Sequence, residues 1–108
     1  MALFRRNKAQ KISPDLQHLL QFVNSRQGVE AYLEPKTAVT EMTVALVASD
    51  GEWTRRRVPN AELVRKFADQ RGIPVYDAAT VGYPEKMREW THKQKQAGDA
   101  AVEDIDRP

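Results

Sequence analysis

The apolar positions along this chain change period several times, and each change marks an element. Leu16, Leu19, Leu20 and Val23 recur at three- and four-residue intervals, with Phe22 widening the stripe, which is the spacing of one buried helix face. Ser13 supplies an N-cap, Pro14 takes the first helical position and Asp15 sits in the positive first turn, while Gly28 stops the helix near Asn24 to Gln27. Val29, Ala31 and Leu33 then alternate with Glu30, Tyr32 and Glu34 up to Pro35, a short strand with one wet face. From Thr37 to Ala48 the chain is rich in Thr, Val and Ala. Met42, Val44 and Leu46 share one parity and Val39, Thr43, Ala45 and Val47 the other, so this strand is expected to be central, with helices or a second subunit covering both sides.

Ser49-Asp50-Gly51 returns the chain antiparallel, since Asp-Gly favours the positive φ values of a tight hairpin. A third strand follows from Glu52 to Val58. Pro59 and Asn60 open a second helix striped by Leu63, Val64, Phe67 and Ala68, and Gly72 followed by Pro74 ends it. Val75 and Tyr76 read as a short fourth strand. Gly82, Tyr83 and Pro84 lead into a third helix with Met87 and Trp90 on it, whose other positions to Gln96 are nearly all charged or amide-bearing. The order α-β-β-β-α-(β)-α predicts an α+β fold, a three- to four-stranded antiparallel sheet with packed helices. One domain over 13–96 is expected between a basic disordered tail, 1–12, and an acidic disordered tail, 97–108.

At 108 residues the chain holds one core and buries a modest share of its surface, so self-association is a reasonable expectation. It has no cysteine, which excludes disulfides and thiolate metal sites. The start, Met1 to Arg6, lacks an apolar stretch after its basic residues, and no apolar run approaches the roughly 20 residues of a membrane span, so a cytoplasmic location is expected. Charge is balanced, 17 Lys plus Arg against 15 Asp plus Glu, too even to imply nucleic acid on its own. The distribution is uneven. Arg5, Arg6, Lys8 and Lys11 make the beginning basic, and Asp99, Glu103, Asp104 and Asp106 make the end acidic.

The densest candidate chemistry lies on the third strand. Alternation puts Trp53, Arg55 and Arg57 on one face and Thr54, Arg56 and Val58 on the other. Guanidiniums beside an indole suit an anionic ligand, a nucleic acid or an acidic partner segment. The same residues could instead lie over the hairpin and pair with Glu30, Glu34, Glu41 or Glu52, protecting the sheet edge. The element order is also that of a double-stranded RNA-binding domain, but the second helix opens with Asn60-Ala61-Glu62 where a phosphate binder would place lysines.

A second candidate cleft is Tyr76, Asp77 and Tyr83, a carboxylate and two phenols near a strand end; the alternative is that Asp77 caps a turn and the tyrosines pack. His18 and His92 are isolated and make no metal site. Ser13, Ser25 and Ser49 occupy helix-start, helix-end and turn contexts, and the glycines are too dispersed to cradle a nucleotide, so no cofactor is expected.

Gly28-Val29-Glu30-Ala31, the arm from Asp50-Gly51-Glu52-Trp53 to Arg57, Gly72 to Asp77, and Val81-Gly82-Tyr83-Pro84 to Trp90 together resemble a family of small uncharacterised actinobacterial proteins, over roughly residues 12 to 92. The resemblance implies a bacterial cytoplasmic protein and no particular mechanism. The expected function is a non-enzymatic protein-interaction module, self-associating, that uses an open sheet surface or the Trp53-Arg55-Arg57 arm. Two alternatives stay open. One is a nucleic-acid binder using the arginine arm and basic tail. The other is a small-molecule enzyme or ligand-binding protein near Tyr76, Asp77 and Tyr83.

Overall fold

The computed structural model of the chain describes residues 13–106, with side chains through residue 97. The expected basic tail, 1–12, and the last two residues, 107–108, lie outside the described residues. The elements run α1 (Pro14–Ser25), β1 (Glu30–Glu34), β2 (Thr43–Val47), β3 (Trp53–Arg57), α2 (Ala61–Gln70), β4 (Val75–Asp77), α3 (Ala78–Val81) and α4 (Glu85–Asp106). The caps read from the sequence are in place. The Leu16 amide donates to Ser13 Oγ at 3.1 Å and the Leu63 amide to Asn60 Oδ1 at 2.8 Å, each satisfying an amide that a helix start leaves unpaired.

The fold is α+β, with a four-stranded sheet in the order β3-β2-β1-β4. β1, β2 and β3 form an antiparallel meander. The sheet is mixed rather than wholly antiparallel, because β4 pairs parallel to β1, with Ala31 opposite Val75 and Leu33 opposite Asp77. The cause is α2. A helix that crosses a sheet face and returns to it brings the next strand back in the direction of the one it left. Two antiparallel pairings make β3 parallel to β1, so β4, reached from β3 through α2, is parallel to β1 as well.

Four local differences separate the structure from the sequence reading. β2 begins at Thr43, not Thr37, because Thr37 Oγ1 accepts the amides of Val39 and Thr40 and holds 37–40 as a turn, leaving Val39 90% exposed. The hairpin carries positive φ at Gly51 alone and not at Asp50. Gly51 donates to the Ala48 carbonyl, and Asp50 Oδ1 accepts the Glu52 amide, so the loop has three residues with glycine in the last. At the other end, α3 is an element without a sequence counterpart, and the backbone of α4 continues through 97–106 instead of ending near Gln96. Ala97, Ala100 and Ala101 favour helix strongly enough to carry it past Gly98.

The core has two layers, one on each side of the sheet. Ala31, Leu33, Val44 and Leu46 face α1 and α2, meeting Leu19, Phe22 and Val64. Tyr32, Ala45 and Val47 face the opposite way and meet Met87 of α4, with Trp53, Ala78 and Tyr83 around them. Val44, Leu46 and Val47 are each almost completely buried, a contribution of about 1.5–3 kcal/mol apiece relative to exposure. Helices of the same chain therefore supply the cover that the two apolar faces of β2 require, and those faces do not by themselves call for a second copy.

Candidate interaction surface

β3 is an edge strand, and its two faces carry different networks. On the α4 side, the Glu34 carboxylate of β1 is a hub. Arg55 Nε and an Arg55 terminal nitrogen donate to its two oxygens at 2.7 and 2.8 Å, Thr43 Oγ1 donates at 2.5 Å, and the Tyr83 hydroxyl donates as well. Burial pushes the Glu34 carboxyl up, but the hydrogen bonds from Arg55, Thr43 and Tyr83 outweigh it and hold the group below the ordinary carboxylate value. Burial and the bond to Glu34 push the Tyr83 phenol up. The Arg55 guanidinium also lies 5.0 Å from the centre of the Trp53 ring, a cation-π contact. Glu34 is one of the four acids that the sequence offers as partners for the arginines, but its role as common acceptor for β2, β3 and the connection before α4 is not visible in strand alternation.

The start of α4 is fixed to this face by contacts of several kinds. Met87 is buried, Lys86 pairs with Glu30 at 3.3 Å, and the Trp53 indole Nε1–H donates to Thr91 Oγ1 at 2.7 Å. The Glu30 carboxylate also accepts the Tyr32 hydroxyl at 3.1 Å; burial first, then this bond, pushes the Tyr32 phenol up to about 12. Gly51 is the closest approach. A Cβ there would lie 2.1 Å from the Lys86 carbonyl oxygen and 3.0 Å from Trp90 Cβ, so the helix rests directly on the hairpin backbone.

Beyond that anchorage α4 leaves the domain: every side chain from Thr91 to Ala97 is exposed. Between this departing helix and β3 is a cleft of about 440 Å³. Trp53, Tyr83 and Met87 form an apolar floor, and Arg88, His92 and Lys95, at helical spacings of four and three, stand along the rim. The polar atoms of the floor are spent internally, the indole on Thr91 and the phenol on Glu34. What the cleft offers a visitor is apolar surface and the cations Arg88 and Lys95.

On the other face of β3, Arg56 approaches His18 of α1, 3.2 Å from Nδ1, and His18 Nε2 lies 2.5 Å from Thr54 Oγ1. A guanidinium can only donate, so Nδ1 accepts and the Nε2–H of a neutral ring donates to the threonine. Burial, then Arg56 and Arg26, lower the His18 pKa against the opposing pull of Asp15. Arg26 pairs with Glu52, Nε to Oε1 at 3.2 Å. Arg57 is exposed and makes no hydrogen bond or ion pair among the described residues.

The candidate residues thus separate. Trp53 and Arg55 share the cleft wall with Tyr83, which the sequence reading places in a different site. Arg56 turns to α1. Asp77 caps α3, its Oδ1 accepting the Ala79 amide at 3.0 Å. The Tyr76 ring lies 5.3 Å from that of Tyr32, and Tyr83 lies 6.0 Å from the same ring, so the two phenols both pack on Tyr32, while Tyr83 also lines the cleft beside Trp53 and Arg55. Arg88 and Lys95 are rim residues that the sequence reading misses, although their spacing with His92 is readable once the helix is known to leave the sheet.

Among the described residues, no cluster of His, Cys, Asp or Glu could hold a metal ion, and no helix is long and apolar enough to cross a membrane. Comparison with family models, with curated proteins and with solved structures returns no match to this chain.

Proposed function

We propose that this protein is a non-enzymatic protein-interaction module that takes an acidic amphipathic helix of a partner into the cleft between β3 and α4. The observation that carries this is the composition of the cleft: an apolar floor whose polar atoms are already bonded, edged by Arg88 and Lys95 on the exposed side of α4. A floor of that kind favours burial of aliphatic side chains over acid-base chemistry. Rim cations on a helix select carboxylates spaced by about one turn. Glu34, which accepts from the Tyr83 hydroxyl of the floor, is already paired with Arg55, so it does not oppose an acidic visitor. The resemblance to the actinobacterial family extends the proposal to a bacterial cytoplasmic setting.

The test is fluorescence anisotropy of a labelled helical peptide with leucines three and four residues apart and glutamates flanking them, at dilute protein. Binding that weakens with salt and is lost in Arg88→Glu/Lys95→Glu supports the proposal. Equal binding by that variant would place the surface elsewhere. Tighter binding of a single-stranded oligonucleotide than of the peptide would replace the proposal with nucleic-acid recognition.

A further inference from the structure

The spacing that makes the rim of the cleft recurs farther along the same helix on acidic residues. Arg88, His92 and Lys95 are separated by four and three residues, and so are Asp99, Glu103 and Asp106, eleven residues later. Eleven residues are close to three turns of an α-helix, so both triplets belong to one side of α4, whose backbone is helical from Glu85 to Asp106. The helix is therefore divided into a basic half that borders the cleft and an acidic half beyond it. Val102 and Ile105 flank the acidic positions at a three-residue interval. Ala97 and Gly98 stand at the midpoint between the triplets.

We propose that the occupant of the cleft is the acidic half of α4 from a second copy of this chain, so that two α4 helices pair antiparallel about Ala97 and Gly98. This rests on the cleft being the binding surface and names its partner. In that arrangement a two-fold axis at the midpoint brings 88 opposite 106, 92 opposite 103 and 95 opposite 99 in both directions, so each basic triplet meets an acidic one. Residues 102–106 of one copy fall opposite 88–93 of the other, where the cleft presents Trp53 and Met87. The small residues at the crossing allow close approach of the two helices. A parallel pair would set basic on basic and acidic on acidic, so charge selects the antiparallel register.

Charge exchange between copies tests this. One variant carries Arg88→Glu/Lys95→Glu, the other Asp99→Lys/Asp106→Lys, and mass is read by sedimentation equilibrium. The wild type is expected to dimerise, more weakly as salt rises. Each variant alone should dissociate at least about tenfold more readily, because like charges then face each other. An equimolar mixture should recover the wild-type affinity, since both exchanged pairs, 88 with 106 and 95 with 99, are again opposite in sign. A nitroxide at Ala97→Cys in this cysteine-free chain should report a short distance between copies. One at Glu89→Cys should report about 25 Å, at 1.5 Å per residue on either side of the axis.

A wild type that stays monomeric at high concentration, a dimer that both variants retain, or a mixture that fails to recover would each overturn the pairing. If the monomeric protein still binds the acidic helical peptide in the cleft, only the identity of the occupant is lost. If the peptide fails too, the cleft itself is not the binding surface.

Discussion

Replacing Gly51 with alanine should release α4 from the sheet. The residue has φ of +95°, and its missing Cβ would stand 2.1 Å from the Lys86 carbonyl oxygen and 2.8 Å from the carbonyl carbon, distances that no relaxed packing accommodates. The positive φ alone costs about 1–2 kcal/mol for a residue with a side chain. If the helix recedes, the chain also loses the burial of Met87, about 1.5–3 kcal/mol, and the Trp53–Thr91 hydrogen bond, about 0.5–1.5 kcal/mol. The total is about 3–6.5 kcal/mol, a large part of the roughly 5–15 kcal/mol that holds a domain of this size together. Urea unfolding followed by tryptophan fluorescence measures it. Gly72→Ala is the internal control, since Gly72 has φ of +67° with nothing within 4 Å of its would-be Cβ; it should lose about 1–2 kcal/mol. Equal losses for the two variants would refute the argument that close approach, rather than backbone conformation, fixes Gly51.

Three further outcomes follow from the same contacts. Glu34→Gln should cost about 1–3 kcal/mol by denaturant unfolding, discounted for the partial exposure of Arg55, because Arg55, Thr43 and Tyr83 lose a charged acceptor. Since the folded-state pKa of Glu34 is depressed, its stabilisation is present above the ordinary carboxylate value and lost as pH falls through the lowered one; the same Glu34→Gln variant should lack that part of the acid slope. His18 also has a depressed folded pKa, so its neutral form stabilises the fold above the ordinary histidine value and that contribution falls as pH drops below it; His18→Asn should flatten the stability profile across that window. The Tyr32 phenol should ionise near pH 12 in an ultraviolet titration of the folded protein, and Glu30→Gln should bring it down without restoring the ordinary value, because burial is the larger cause.

How far the sequence can be read depends on whether the deciding interaction is local. Ser13, Asn60 and the stripes of α1 and α2 declare their helices because caps and three- to four-residue spacing act within one element. The two-sided β2 is legible for the same reason. The direction of β4 is not, because three residues carry no directional pattern and α2 decides it from outside. Thr37 looks like strand by composition, yet its hydroxyl holds a turn. At the candidate surface, the alternation of Trp53, Arg55 and Arg57 is readable, but the use of Arg55 by Glu34 depends on register between β1 and β3 across β2. The cleft is invisible for a different reason: it arises where α4 separates from β3, and Gly51 fixes that point of contact across 35 residues of chain, counted from Gly51 to Lys86.

The most direct test of the proposed binding surface is amide and indole chemical-shift mapping while the acidic helical peptide is added to the labelled protein. The Trp53 indole N–H, bonded to Thr91, is its single best reporter. Shifts concentrated on Trp53, Met87 and residues 88–95, with His18 and Arg26 unmoved, are expected. Shifts centred on the His18–Arg56 side of β3, or none at all, would contradict the account.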